Sequence, residues 1–440
     1  MQRIALISDH ASPLGVIGGV DAGGQNIYVA HVAKQLAARG LDVDVYTRRD
    51  DPHLPDVAPI GARIRVIHVP AGPPVDLPKE RLLPYMGAFA DHVIARLRRE
   101  AATVDLMHAN FFMSGDVALR VKRRLGIPFV VTFHALGRVR RLHQGAADGF
   151  PDARFAIEDT LVRRADRLIA ECPQDADDLR TLYHADAQRI AVVPCGFDAD
   201  EFRPVPRAVA RARLGWPDDA FAVLQLGRLV PRKGIDNVIA ALARMPHDPR
   251  RATRLYVVGG SRYAPDPAHE PELARLAALA RDAGIAERVT FVGRRDRDVL
   301  HLYYSAADVF VTTPWYEPFG ITPLEAMACA TPVVGSDVGG LRTTVEHGVT
   351  GYLVPPRDPA ALAERLAQLR ARPEHCAALG AAGFRRAHRL YTWHDVAGRL
   401  VALYRDVARA PRAGVTAGAA RHTPVAPVAR ALAGRKENAG

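Results

Sequence analysis

Residues 3–47 read RIALISDHASPLGVIGGVDAGGQNIYVAHVAKQLAARGLDVDVYT, and this stretch decides the fold class. RIALIS (3–8) is a short, almost wholly apolar run, which predicts a strand buried on both faces. Residues 18–24 carry four glycines and predict a loop. Residues 25–40 place apolar side chains at helical spacing and end on Gly40, a helix with a glycine stop. LDVDVYT (41–47) predicts the next strand. Strand, glycine loop, helix and strand make a βαβ unit.

The alternation runs on from there. RIRVIHVP, VDLMHAN, PFVVTFHA, RLIAEC and RIAVVPCG predict further short strands, and residues 82–100 a helix. It pauses at FRPVPRAVARARLGWPDD (202–219), rich in Pro and Arg, and restarts with FAVLQLGR (221–228). RLYVVGG, RVTFVG, VFVTTP, PVVGSD and GYLVP follow, with helical segments between them. The pattern predicts an α/β protein of two doubly wound parallel-sheet, Rossmann-like domains facing across a cleft. The expected divisions are an N-terminal domain at 1–200, a linker at 201–218 and a second domain at 219–388. A helix at 389–409 is expected to cross back to the first domain, ahead of a disordered basic tail at 410–440.

Bulk properties narrow the function. The chain has 440 residues, 48% of them hydrophobic and 24% charged, as expected for a soluble globular protein. It shows no apolar run of membrane-spanning length, and its first residues enter a strand rather than a secretory signal. Cys172, Cys195, Cys329 and Cys376 form no CxxC pair, which fits reduced thiols in the cytoplasm. The formal net charge is +11. The basic residues are spread and no nucleic-acid motif accompanies them, so a phosphate-rich small-molecule site is the expected anionic partner. Only Lys34, Lys79, Lys122, Lys233 and Lys436 among the 59 basic residues are lysine. A lysine kept in a loop of so arginine-rich a chain suggests a need for a compact point charge.

Several stretches carry chemistry. In LGRLVPRKGIDN (226–237) a strand ends at Gly227 and a loop bearing Arg228, Arg232 and Lys233 leads into a helix. Cations there can neutralise a diphosphate, although a solvated basic turn has the same appearance. GGVDAGGQN (18–26) lets backbone approach a ligand at a helix start, without being a GxGxxG motif. His134, in TFHALGRVRRLH (132–143), lies where a strand meets its loop. In EPFGITPLEAMACATPVV (317–334), Thr322, Pro323 and Glu325 predict a T-x-x-E capping box. Glu317 has no such structural duty. Carboxylates beside a phosphate site suit sugar hydroxyls, which donate to them, and a nucleotide sugar brings hydroxyls and phosphate together.

EPFGITPLE resembles the E-x7-E motif of the retaining GT-B glycosyltransferases of the group-4 family. GRLVPRKG resembles that family's diphosphate-binding segment. DAGGQNIYVA, HANFFMSG and TFHALGRVRRL resemble the N-terminal motifs of its sucrose-phosphate synthase and inositol-phosphate glycosyltransferase branch. The likeness runs from about residue 3 to residue 404. It implies a metal-independent, retaining hexosyltransferase that needs no cofactor beyond a nucleotide sugar such as UDP-glucose as co-substrate. It implies that Arg228 and Lys233 hold the donor diphosphate. Glu325 would take the ribose hydroxyls and Glu317 those of the donor sugar, helped by Phe319, Gly320 and Ile321. Gly24 would let the first loop approach the diphosphate, and His134 would sit by the transferred sugar. Gln25, Asn26, Lys79 and Arg154 match acceptor-binding positions, the last two for an acceptor phosphate. Phe111 and Ala135 stand where the inositol-phosphate enzymes carry a Tyr and a Thr, so two hydroxyl donors are missing; either Arg138 and Arg141 compensate or the acceptor is a different one, as in sucrose-phosphate-like chemistry. The acceptor is therefore a small molecule, phosphorylated or not. The rival readings are a nucleotide-sugar epimerase or phosphorylase on the same fold, and a non-catalytic sugar-nucleotide binder. The oligomeric state is left open.

Overall fold

A computed structural model describes residues 1–15, 23–100, 103–246, 248 and 250–410. Residues 18–22 of the loop expected at 18–24 and residues 411–440 of the tail expected at 410–440 lie outside the described residues, while Gly24 already opens the first helix. The first sheet comprises β1 (Arg3–Ile7), β2 (Asp42–Arg48), β3 (Val57–Pro59), β4 (Ile64–Val69), β5 (Leu106–Asn110), β6 (Phe129–Thr132), β7 (Arg167–Ala170) and β8 (Ile190–Val192). Their spatial order is β3-β4-β2-β1-β5-β6-β7-β8, with every pair parallel except β3 on β4. The second sheet comprises β9 (Phe221–Leu226), β10 (Thr253–Val258), β11 (Val289–Gly293), β12 (Val309–Thr312), β13 (Val333–Ser336) and β14 (Gly351–Val354). Its order is β11-β10-β9-β12-β13-β14, all parallel.

The sequence periods explain these elements. β5, β6 and β9 are buried along their length, and β1 from Ile4 onward, because helices cover both faces of each sheet. Ile4, Leu6 and Val43 pack with the helix Gly24–Ala38 on one face, while Ala5, Ile7 and Met107 pack with Phe89, Phe112 and Val117 on the other. Fully burying one such Val, Leu or Ile contributes about 1.5–3 kcal/mol. The order in which successive strands are added reverses at β1, which lies between β2 and β5, and at β9, which lies between β10 and β12. At these switch points the loops after neighbouring strands splay apart and leave a crevice at the strand carboxyl ends.

Three expectations need correction. The stretch expected as a linker contains a helix, Arg207–Leu214, anchored where buried Arg211 donates to the Ala306 carbonyl and to Asp308. The helix expected over 82–100 opens as two 3-10 turns, Lys79–Arg81 and Leu83–Tyr85, and becomes α-helical only over Met86–Arg99; Pro84 lies in the second turn. The edge strand β3 went unpredicted, being three residues long and ending in proline.

The last helix, Trp393–Arg409, starts on a Thr392 side chain that accepts from the Asp395 amide. It lies against the first sheet, where Tyr404 Oη is 2.6 Å from His108 Nδ1, and Trp393 stacks on His31. Among the described residues no helix is long and apolar enough to cross a membrane.

Candidate active site

A cavity of about 520 Å³ opens at the carboxyl ends of β1 and β9, lined from both sheets. Its second-sheet wall begins after β9. Gly227 leaves the strand, Arg228 follows, and the turn Pro231–Lys233 ends on Gly234 at φ +67°. A Cβ on Gly234 would lie 2.0 Å from the Thr313 carbonyl oxygen, so only glycine lets this turn pack against the end of β12. That contact brings Lys233 to Glu317, and the ammonium donates to the carboxylate. Both side chains are largely buried, 18% and 14% exposed. Burial pushes the Lys233 ammonium below its usual range, with Glu317 opposing the shift. Burial works to raise the Glu317 carboxyl, but Lys233, Arg232 and Arg228 together hold it below the usual carboxylate range. Glu317 thus has a structural partner that the sequence did not reveal. Arg228 spans towards the other wall: a Cβ on Gly23 would sit 3.8 Å from its Nε.

The expected capping box does not form. The helix runs Ile321–Ala328 with Gly320 as N-cap at φ +91° and no side-chain cap. Glycine's left-handed conformation turns the chain into the helix early, so Thr322 lies inside the first turn and Glu325 is carried beyond reach of the N-cap amide. Glu325 is 1% exposed and accepts from Arg297 Nη1 at 2.9 Å and from Tyr304 Oη at 2.8 Å. Burial, with Glu325 beside it, keeps the Tyr304 hydroxyl protonated as the donor. Arg297 also holds Glu201, from the crossover between the sheets. Phe319, Gly320, Ile321 and Glu325 all line the cavity.

The first-sheet wall carries Gly24, Gln25, Asn26, Lys79 and His134. Asn26 is spent on the loop: its Oδ1 accepts from the Gly23 amide and its Nδ2 donates to the Ser12 carbonyl. Gln25 Nε2 is tethered to Ser8 Oγ and the Asn110 carbonyl. Lys79 pairs with Glu80 at 3.3 Å. His134 adopts φ +56°, a conformation uncommon outside glycine and concentrated at functional sites.

Arg154 is placed otherwise than expected. It is 1% exposed and absent from the cavity wall. Its guanidinium lies 4.7–4.9 Å from the ring centroids of Phe111, Phe112 and Phe150, and Nε donates to Glu158. A fourth-residue spacing on the helix Ala153–Arg164 brings Glu158 onto its face and fixes it there. Arg138 and Arg141 are engaged by Asp159 and Asp152. The arginine of this segment that reaches the cavity is Arg140, held by Asp148 at 2.9 Å. Sequence reasoning missed it because the helix Gly137–Gln144 shows several arginines and only its packing decides which one faces inward. It also missed Glu171 and Arg297, cavity residues far from the others along the chain, and Tyr316, which directly precedes Glu317.

Among the described residues one group, His31, Asp198 and Glu201, could bring three ligand atoms within 4.8 Å of one another. It stands outside the cavity wall, with Lys34 on Asp198 and Arg297 on Glu201.

A model of the group 1 glycosyl transferases matches residues 206–386, and one of glycosyltransferase family 4 matches residues 22–201. The chain belongs to this glycosyltransferase family. A D-inositol 3-phosphate glycosyltransferase of Thermobispora bispora is 38% identical over 95% of this chain and 98% of its own. Another, from Geodermatophilus obscurus, is 40% identical over 92% of this chain and 89% of its own. Among solved structures, sucrose-phosphate synthase from Thermosynechococcus elongatus superposes with a TM-score of 0.85 at 37% identity, covering 92% of this chain and 99% of that one. Anabaena HepE in complex with UDP and glucose superposes with a TM-score of 0.72 at 21% identity, over 92% of this chain and all of that one, and shares the fold. The two-domain GT-B architecture and the glycosyltransferase class are thereby established.

Proposed function

We propose that this glycosyltransferase moves a hexosyl group from a nucleoside diphosphate sugar to a small phosphorylated polyol or sugar, with retention and without a metal. The observation that carries this reading is the meeting of Arg228 and Lys233 with Glu317 and Glu325 on one wall of the cavity, opposite His134. The residues from 219 to 388 hold the donor and those before 200 the acceptor. The donor diphosphate draws Lys233 away from Glu317 and takes Arg228 as second cation. Glu317, released, accepts from a hydroxyl of the sugar. Glu325 keeps Arg297 and Tyr304 and uses its remaining lone pairs for the ribose. Backbone N–H groups around Phe319, Gly320 and Ile321 add donors, and Gly24 allows close approach.

In the transfer the sugar C1–O bond to phosphate breaks and a bond from C1 to the acceptor oxygen forms on the same face. The acceptor hydroxyl proton passes to the departing phosphate. Fixed cations aimed at the oxygen where charge develops supply the stabilisation, and UDP-glucose is the first donor to test. Lys79 and Arg140 are the cavity cations on the first-sheet side that suit an acceptor phosphate, a chemistry printed in the names of the inositol 3-phosphate and sucrose-phosphate relatives. Four free, buried cysteines suit a cytoplasmic setting.

The test is acceptor-dependent release of nucleoside diphosphate. Donors are UDP-, ADP- and GDP-hexoses, acceptors inositol 3-phosphate and hexose phosphates, and the product anomer is read by NMR. Conversion of the donor alone would favour an epimerase, and dependence on inorganic phosphate a phosphorylase.

A further inference from the structure

His134 does not stand alone in the cavity. Its Nδ1 is 3.0 Å from Glu171 Oε1 and its Nε2 is 3.0 Å from Asn110 Oδ1. The orientation of the Asn110 amide follows from its other contacts. Nδ2 reaches the carbonyl oxygens of Ile7 and His108, at 3.4 and 3.3 Å. Flipping the amide would set Oδ1 against two carbonyl oxygens, so Oδ1 faces the imidazole. Both ring nitrogens therefore point at acceptors, and a neutral imidazole has only one N–H to give.

We propose that Glu171 is a positioning residue that, with Asn110, holds His134 as an imidazolium whose charge faces the transfer site. This rests on the reading of the cavity as the place of glycosyl transfer. Glu171 is 3% exposed and lies at the end of β7, where the Asp175 side chain accepts from its amide. Cys195 Sγ donates to the same Oε1, and its buried thiol is pushed up, first by burial and then by Glu171. The pairing supplies the buried carboxylate with a cation and the imidazolium with its counter-ion.

Most of the groups packed against His134 are neutral. From the helix Gly24–Ala38, the Tyr28 ring meets it edge-on at 4.8 Å. From β5, His108 is pushed down to about 3, mainly by burial and further by His134, so it stays neutral. Asp175, beyond Glu171, is pushed up to about 8 by burial and by Glu171. Among these first-sheet groups Glu171 is the one carboxylate touching the ring. On the opposite wall the Lys233–Glu317 pair is internally neutral, while Arg228 and Arg232 beside it are cations that oppose an imidazolium, so Glu171 has to outweigh them. His134 holds the left-handed conformation, at φ +56°. This aims the ring so that both nitrogens are engaged.

The decisive measurement is the protonation of the His134 ring nitrogens by ¹⁵N NMR of histidine-labelled full-length protein at pH 7, assigned by subtraction with His134→Asn. Two protonated nitrogens are expected in the wild type. Glu171→Gln keeps the size and a hydrogen bond but not the charge, and one nitrogen should become unprotonated. With donor binding intact, Glu171→Gln should lower kcat on the order of ten-fold with little change in donor KM, and shift the alkaline fall in turnover to lower pH. Glu171→Asp should recover part of the loss. An unprotonated His134 nitrogen in the wild type overturns the proposal even if Glu171→Gln fails to fold, as does a Glu171→Gln enzyme with an unchanged pH profile. If wild type transfers no sugar to any acceptor, the functional reading fails while the ring measurement still decides the state of His134.

Discussion

The Lys233 ammonium donates to the Glu317 carboxylate, tying the loop after β9 to the loop after β12 inside the cavity. The two residues assigned to opposite ends of a donor, its diphosphate and its sugar, satisfy each other until that donor arrives. Removing one partner strands a largely buried charge. Lys233→Met and Glu317→Gln should each destabilise the protein by up to about 3 kcal/mol. The double variant should recover most of that loss in denaturant unfolding and regain no activity. Additive losses in the double-mutant cycle would show the pair to be uncoupled.

Transition-state stabilisation by the cations is a separate quantity. Arg228→Ala and Lys233→Ala should each lower kcat/KM by about 2–4 kcal/mol, the size of a strong fixed electrostatic contact. Turnover near wild type at saturating donor in both variants would move the site elsewhere.

If Glu325 meets the ribose as proposed, Tyr304 and Arg297 act on the donor through it. Tyr304→Phe removes one of the two donors that fix this buried carboxylate. Donor affinity should fall about ten-fold, the effect of a hydrogen bond to a charged group, by calorimetry with UDP. An unchanged affinity would mean that Glu325 does not meet the ribose.

The acceptor cations divide into two kinds. Lys79→Ala and Arg140→Ala should raise the KM for a phosphorylated acceptor about ten-fold to a hundred-fold and spare donor binding. Arg154→Ala should instead lower stability, because Glu158 is 0% exposed and loses its cation. If Arg154→Ala folds normally and alone raises acceptor KM, the division is wrong.

His31 sets a pH dependence of stability. Burial pushes it down from the usual histidine range to about 4. Between that value and the unfolded range the unfolded chain binds the extra proton, so stability rises with pH across this window and is lost as pH falls through it. His31→Gln should flatten the decline in Tm between pH 6.5 and 4. A decline of unaltered slope would assign the acid sensitivity to other groups.

Activity should survive chelation if, as proposed, Arg228 and Lys233 neutralise the diphosphate in place of a metal. Loss with EDTA that Mg²⁺ or Mn²⁺ restores would contradict this.

The sequence by itself determined the fold class and which two segments of the second domain reach the cavity. Apolar runs of strand length between helical periods allow few architectures besides parallel sheets covered on both faces, and Arg228, Lys233, Glu317 and Glu325 sit in two short segments at strand ends. Their local order along the chain is enough to place them. What the chain order could not show is which side chains neutralise one another across it. Glu317 finds Lys233 at a distance of 84 residues, Glu171 finds His134 at 37, and Arg154 is drawn under three phenylalanines while Arg140 turns to the cavity. Gly320 moved the helix start and cancelled the capping box that the spacing had promised. Such choices belong to tertiary structure for one reason: a buried charge must find its counter-charge wherever packing brings one, and local sequence carries no record of that distant partner.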